Sequence, residues 1–405
     1  MSRFSRMLMG IATLAAAVAA APALAACSVE GPGVSCVMTG LDNPRGLAFG
    51  LHGALFVTEA GRGGAVTGPC VGVMGFNCFG NTGAVSRYWN GQQDRVASGL
   101  PSIGFVQGAS ARGPHDIAIR SPRARRGSVL GEGGAHITVG LEKDASVRST
   151  PGRRDFAKLF HIPASTLYAP SDALCTGDCW TAVVDIGAFQ PQGNTDPNRE
   201  TDPYGLIADE PGVVLTDASR NWLLGVDDDG TVSRIASFPS RFEGRSTDAV
   251  PTTVARGPDG AFYVGELVGI PFTGPTRPAA NIYRVESEAP HDVSIFLTGF
   301  NAIIDMAFQG DTLYVLQHWT QDATGADGRL LRLHCAGRPL ACDTPAEVML
   351  EGLDRATAFI VDRGALYMSL HGSSPAFQNG QYKPQGEVIR MELDDDATDS
   401  TDLDL

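Results

Sequence analysis

Apolar positions in this chain fall in runs of strand length, each broken by a glycine-containing turn, and the same arrangement keeps returning. Between Leu41 and Gly63 the order is LDNPRGLAFGLHGALFVTEAGRG. An apolar stretch (Gly46–Phe49) meets a turn, and a second stretch (Ala54–Val57) ends on Glu59. Similar units follow at Gly113 (GPHDIAI, then AHITVG), Asp202 (DPYGLIADEPGVVLTDA) and Val250 (VPTTVARGPDGAFYVGEL). Two more begin at Ala302 (AIIDMAFQGDTLYVLQH) and Asp354 (DRATAFIVDRGALYMSLH), which makes six copies. Each reads as a strand, a tight turn and a second strand of alternating apolar and aromatic residues.

Most copies are followed by a second hairpin: Gly83–Leu100, Asn221–Phe238, Asn281–Phe300 and Gly328–Leu353. Two hairpins per unit give four antiparallel strands, and a spacing such as the 48 positions from Pro203 to Pro251 is that of propeller blades. The sixth unit supplies GEVIRMELD (Gly386–Asp394) and then runs out, one strand short. The missing strand is at the other end of the chain. VSCVMTGL (Val34–Leu41) ends like the RVASGL, IFLTGF and VMLEGL segments that close earlier units. The predicted fold is therefore all-β: a six-bladed β-propeller of four-stranded antiparallel blades, spanning 26–394 and closed by its N-terminal strand. Two units are stretched, and the extra residues (Gly61–Thr82, Leu141–Asp155 and Pro163–Arg199) read as loops on the face where the innermost strands start.

Composition then sets the compartment. Arg3 and Arg6 precede an uncharged apolar run, Met7–Ala21, and an A-x-A pattern at Ala23–Ala25. That reads as a cleaved signal peptide over 1–25 and a secreted or periplasmic protein. Leu24–Cys27 also fits a lipobox, but lipidating Cys27 would orphan a cysteine. The 8 cysteines fall in close pairs, expected as Cys27–Cys36, Cys70–Cys78, Cys175–Cys179 and Cys335–Cys342 disulfides. The formal charge of −14 argues against a nucleic-acid partner, and no later run is long enough to span a membrane. Residues 395–405 read as an acidic, disordered tail. A monomer is expected.

Several of these motifs in combination resemble the ScyD/ScyE family of secreted propellers, named for a gene cluster that makes the pigment scytonemin. They are GLDNPRGLAFGLHGALFVTEAGRGG, Gly113–Ile119, DPYGL, VPTTVARGPDGAFYVGEL and GFNAIIDMAF. The resemblance runs from about Leu41 to about Leu393. The chain departs from it in a longer, more basic turn after Ile119 and in its extra cysteine pairs. What the resemblance implies is extracytoplasmic work around secondary metabolites, with no established reaction.

Stacking the six innermost strands places two rings of residues at the tunnel mouth. The first ring is Arg45, His115, Tyr204, Thr252, Ile304 and Ala356. The second is Gly46, Asp116, Gly205, Thr253, Asp305 and Thr357. Arg45, Tyr204, Thr252, Thr253 and Thr357 are the expected ligand-binding residues. Asp116 and Asp305 fall in opposite blades; with Glu266 they form an oxygen set that suits Ca²⁺, as in lactonase and gluconolactonase propellers. His115 is the candidate general base. Glu59 and Asp217 share a column with Glu266 and Gln317 at the second-strand ends, where an acid serves to anchor the neighbouring loop.

Three functions compete on these residues. The leading one is a binding or accessory propeller whose loop-rich face receives a small molecule or a protein. The second is a Ca²⁺-dependent lactonase or hydrolase. The third is a quinoprotein oxidoreductase, suggested by the His115–Gly140 run but lacking a quinone-binding Arg/Lys set. No nucleophile elbow, HExxH or P-loop is present.

Overall fold

The computed structural model describes residues 27–29, 31, 33–64, 70–71, 77–105, 108–120, 128–130, 133–150, 152–191, 199–209, 211–242, 246–268, 279–320, 327–374, 377–379 and 381–393. The signal-peptide and tail segments, and the basic stretch 121–127, lie outside them.

Six antiparallel sheets, each built on a four-stranded blade, follow one another in chain order, and blades one and five carry a further two-residue strand (Cys70–Val71 and Ala341–Cys342). Their innermost strands are Pro44–Phe49, Pro114–Arg120, Pro203–Asp209, Pro251–Arg256, Ile303–Gln309 and Ala358–Asp362. Each innermost strand packs on the next, and the sixth returns to the first, so the sheets form a ring. Blade three shows the pattern in its plainest form: Pro203–Asp209, Gly212–Asp217, Trp222–Val226 and Val232–Ser237, each paired with the one before. In blade six the order from the axis outward is Ala358–Asp362, Ala365–Leu370, Gly386–Glu392 and then Val34–Leu41. The closing strand pairs from Val34 with Met391 to Leu41 with Gly386.

The core is divided into six, one cluster per blade interface, because successive side chains of a strand point to opposite faces. In Gly212–Asp217, Val213 and Leu215 pack toward blade two with Leu159 and Val184. Val214, between them, packs toward blade four with Val254 and Val264. The other interfaces repeat this. Phe56 meets Phe160, Tyr263 meets Met306, and Leu316 meets Met368. Leu47 and Val57 of blade one meet Val37 and Met38 of the closing strand. A strand buried on both faces can be apolar throughout, which is why VVL and FYV appear here rather than strict alternation.

The stretch Pro163–Arg199 is more than a loop. It holds a short helix (Ala164–Leu167), the outermost strand of blade two (Thr181–Val184) and a 3-10 turn (Ile186–Ala188). Four residues of partly exposed strand are too few for a pattern in the sequence to reveal. The consequence is positional. Residues 164–180 join the third strand to the fourth, so they lie on the face opposite the tunnel mouth, and only the part after Val184 adds to the mouth. Within this segment Cys175 pairs with Ala97 of blade one, and Trp180 Nε1 donates to Ser98 O at 3.2 Å. The four expected disulfides are all formed. Cys27–Cys36 ties the segment before the closing strand to that strand. No helix among the described residues is long and apolar enough to cross a membrane.

Candidate functional site

The propeller axis carries a small cavity lined by His115, Asp116, Tyr204, Thr252, Asp305 and Thr357, with Gly46 and Gly205 between them. Its free volume is ≈10 Å³, room for about one water or one bare ion. The structure thus gathers six of the polar ring residues picked out from the sequence. Thr253 stands behind the cavity, where its hydroxyl donates to Asp305 Oδ1 at 3.0 Å.

Asp116 and Asp305 do the same thing in opposite blades. Each carboxylate accepts the backbone N–H of its own successor, Ile117 at 2.8 Å and Met306 at 2.8 Å. Each also reaches the next blade: Asp116 Oδ2 accepts Leu206 N–H at 2.7 Å, and Asp305 Oδ2 accepts Phe359 N–H at 2.9 Å. Gly46 makes this possible on one side, since a Cβ there would collide with the Asp116 carboxylate. Burial, and then the Asp305 charge, push the Asp116 carboxyl well above its ordinary value. Burial pushes Asp305 up to about 6, against the pull of its three hydrogen-bond donors. Neither has an Arg or Lys ion-pair partner among the described residues.

Above this layer the mouth is crowded with titratable groups. His115 is buried and packs on the Tyr204 ring at 4.3 Å between centroids. Its Nδ1 sits 3.2 Å from Pro203 O, which requires a proton on Nδ1 and leaves Nε2 as the acceptor. Burial, helped by Arg45, holds its pKa well below the usual imidazole value, so the ring is neutral. Asp202 Oδ1 accepts Leu141 N–H at 2.8 Å, and burial raises its carboxyl to about 8. Gly140 is required here, because a Cβ at that position would strike both Asp202 and His115. Arg45 is buried; one guanidinium nitrogen donates to Ala111 O at 2.8 Å, while its Nε has no partner. His318 comes to the same level from blade five, with Nδ1 2.6 Å from Ala356 O, and burial lowers it to about 4.

Asp202 and His318 are the mouth residues that sequence reading passed over. Asp202 had a signal in its place directly before the innermost strand of DPYG, and His318 directly follows the Gln317 column.

The second-strand column is engaged elsewhere. Glu59 accepts Asp42 N–H at 2.6 Å, Ser86 Oγ at 2.6 Å and Arg95 at 2.6 Å. Asp217 accepts Asp202 N–H at 2.8 Å and Thr201 Oγ at 2.7 Å. Glu266 is fully buried, with both oxygens on Arg241 and one also on Asn281 N–H. It does not line the axial cavity with Asp116 and Asp305. Among the described residues, the one group of three metal-ligating side chains close enough to share an ion is Cys27, Cys36 and Glu387, whose cysteines are tied up in a disulfide.

At blade six a line of hydrogen bonds runs from Asp354 to His371 Nδ1 (2.9 Å) and from His371 Nε2 to Ser28 Oγ (2.9 Å). The Ser28 hydroxyl donates to Glu387, and so does its backbone N–H. A serine whose proton is held by a carboxylate is not poised to give it to the imidazole. The group instead fastens the start of the described chain to the last blade.

No protein-family model matches the chain, and no curated protein matches it. The similar solved structures are β-propeller proteins. The PQQ-bound aldose sugar dehydrogenase from Streptomyces coelicolor is 14% identical over 89% of this chain and 97% of that chain, with a TM-score of 0.49. A luciferin-regenerating enzyme is 10% identical over 89% and 94%, with a TM-score of 0.48. A catalytically inactive virginiamycin B lyase from Staphylococcus aureus, solved with quinupristin, is 12% identical over 89% and 99%, with a TM-score of 0.43.

Proposed function

We propose that the protein is a binding propeller of the ScyD/ScyE type, working in an oxidising, extracytoplasmic compartment. Its tunnel mouth receives a small polar molecule above a cation held between Asp116 and Asp305. The observation that carries this is the pair of partly buried carboxylates facing one cavity, with no Arg or Lys ion-pair partner among the described residues. A buried carboxylate must find a cation or keep a proton. The cavity is the size of one ion or water, and the donors available are hard oxygens, which suit Ca²⁺ or a similar cation. Asp116 and Asp305 would hold it; the remaining oxygen ligands that Ca²⁺ requires would come from water or from the bound molecule. Arg45, with its unpartnered Nε, and the Tyr204 hydroxyl would face the ligand's polar groups. Four disulfides suit the compartment.

Elemental analysis of purified protein tests the reading. About one equivalent of a divalent cation, lost in Asp116→Asn and in Asp305→Asn, supports it. Protein that stays metal-free after dialysis against Ca²⁺ overturns it.

A second reading, a cation-dependent hydrolase acting on lactones or esters, is favoured by one observation. His115 adjoins Asp116 in a neutral state, with Nε2 free to take a proton. Bound at the axis, a cation would polarise the substrate carbonyl. The chain's own part would be to orient the substrate against Tyr204 and accept a proton from water at His115 Nε2. Turnover of a lactone panel that disappears in His115→Gln, with cation content unchanged, would separate this reading from binding alone.

A further inference from the structure

A second cavity lies away from the mouth. It lies on the opposite face, between the blade-one hairpin tip and residues 168–171 of the blade-two segment that crosses toward it, and has a volume of about 320 Å³. That is within the range of small-molecule sites. Two aromatic rings stand in its wall: Trp89 and Tyr168, edge to face with centroids 6.0 Å apart. Neither is loose. The Tyr168 hydroxyl accepts Leu51 N–H at 2.6 Å and its ring packs on Phe56 at 5.8 Å. Trp89 sits at the end of a strand closed by an Asn90–Gly91 turn, both residues at positive φ (51° and 76°), the geometry of a tight hairpin. The far wall is pinned as well. Cys175, stapled to Cys179, pairs with Ala97, so residues 168–180 are held against blade one.

The polar groups say what such a wall would take. Arg87 is buried, but its charge is already matched by a two-pronged pair with Asp94 (2.6 and 3.0 Å), and its remaining donors meet Leu167 O and Ala169 O. The pair leaves no net charge for an ionic ligand to answer. The other polar side chains around the opening are uncharged and exposed: the Asn90 and Gln92 carboxamides and the Ser171 hydroxyl. The Arg87 guanidinium covers one face of Trp89, 5.2 Å from its centroid. The ring's other face for C–H surfaces, amide and hydroxyl groups for ligand hydroxyls, and electrical neutrality describe a site for an uncharged polyhydroxylated ring.

We propose that this second pocket binds a neutral saccharide unit, with one face of the sugar on Trp89 and its hydroxyls bonded to Gln92 and Ser171. The proposal is independent of the tunnel-mouth reading: it uses a different face, different residues and no cation. In it, the blade-two insertion exists to wall a sugar site on blade one.

Calorimetric titration of the mature protein tests this with four kinds of probe: methyl glucosides and galactosides, cellotetraose and maltotetraose, glucuronate and glucosamine, and indole as a flat aromatic. The expected result is saturable binding of at least one neutral sugar, unaffected by chelator. A methyl glycoside that binds as well as its tetraose points to free sugar; a much tighter tetraose points to a glycan chain. Affinity should fall at least tenfold in Trp89→Ala. Gln92→Ala and Ser171→Arg change exposed residues and keep the test open should Trp89→Ala not fold; each should weaken binding while the melting temperature holds. The proposal is overturned if no neutral sugar binds more tightly than ~10 mM, if only the charged sugars or indole bind, or if the variants bind sugar as wild type does.

Discussion

Asp116 and Asp305 make the same kind of connection in opposite blades: each carboxylate accepts a backbone N–H of the next innermost strand, Leu206 at 2.7 Å and Phe359 at 2.9 Å. The two acids therefore stitch blade two to three and blade five to six, and they face one cavity while doing so. Stitching alone needs only an acceptor, which a neutral side chain could supply. Two carboxylates at one spot carry an electrostatic cost that makes sense when something positive sits between them.

That cost has a sign in pH. The folded-state pKa of Asp305 is raised to about 6 from an ordinary value of 3.8. Between those values the native chain holds a proton that the unfolded chain has lost. Its contribution is thus complete below about pH 4 and disappears as the pH rises through 6. Denaturant unfolding in chelator at pH 4 to 8 should show that falling slope in wild type and a flatter one in Asp305→Asn. Asp202, raised to about 8, extends the fall to higher pH.

The histidines run the other way. His318 is held down at about 4 and His136 at about 3, both chiefly by burial. An unfolded histidine takes up its proton near 6.5, so stability is complete above that pH and is lost as the pH falls toward 4. Histidine NMR should find His318 still neutral at pH 5, and His318→Gln should lessen the acid sensitivity that wild type shows.

Glu266 is a fold residue in its contacts, so its removal should be felt in stability. Arg241→Met leaves a fully buried carboxylate without its guanidinium, at a cost of about 3–5 kcal/mol. Combining Arg241→Met with Glu266→Gln removes the stranded charge and should recover part of that loss. Cation content should not change in either the single or the double variant. Urea denaturation with elemental analysis checks both statements.

Ring closure by the N-terminal strand also has a measurable consequence. Met38 and Leu41 are as buried as residues inside any blade. Met38→Ala should cost about 2–5 kcal/mol, as a core truncation does. Deleting 27–41 exposes the Gly386–Glu392 edge, and size-exclusion chromatography should then find aggregated protein.

Much of this was legible in the chain because a repeat makes one observation six times over. Strand pairs, blade count and the closing strand all follow from recurrence, and the acids at 116 and 305 stand out because they interrupt a column of small and hydroxyl residues. What the chain concealed depends on folding across repeats. Thr181–Val184 is too short to announce itself as a strand, so the segment before it reads as part of the mouth when it belongs to the opposite face. His318 and Asp202 lie on strand ends and approach His115 or Arg45 only once the ring is closed. Glu266 matches Asp305 in chemistry, yet its column points at Arg241 and the next loop, a difference that sequence alignment of the repeats does not carry.

The central claim is that Asp116 and Asp305 hold a cation, and thermal melting at pH 7.5 with and without Ca²⁺ tests it most directly. Wild-type protein stripped by chelator should be stabilised on adding Ca²⁺, by about 2.7 kcal/mol at a hundredfold excess over Kd, while Asp116→Asn and Asp305→Asn should not respond. Identical wild-type melting curves in chelator and in Ca²⁺ would contradict it.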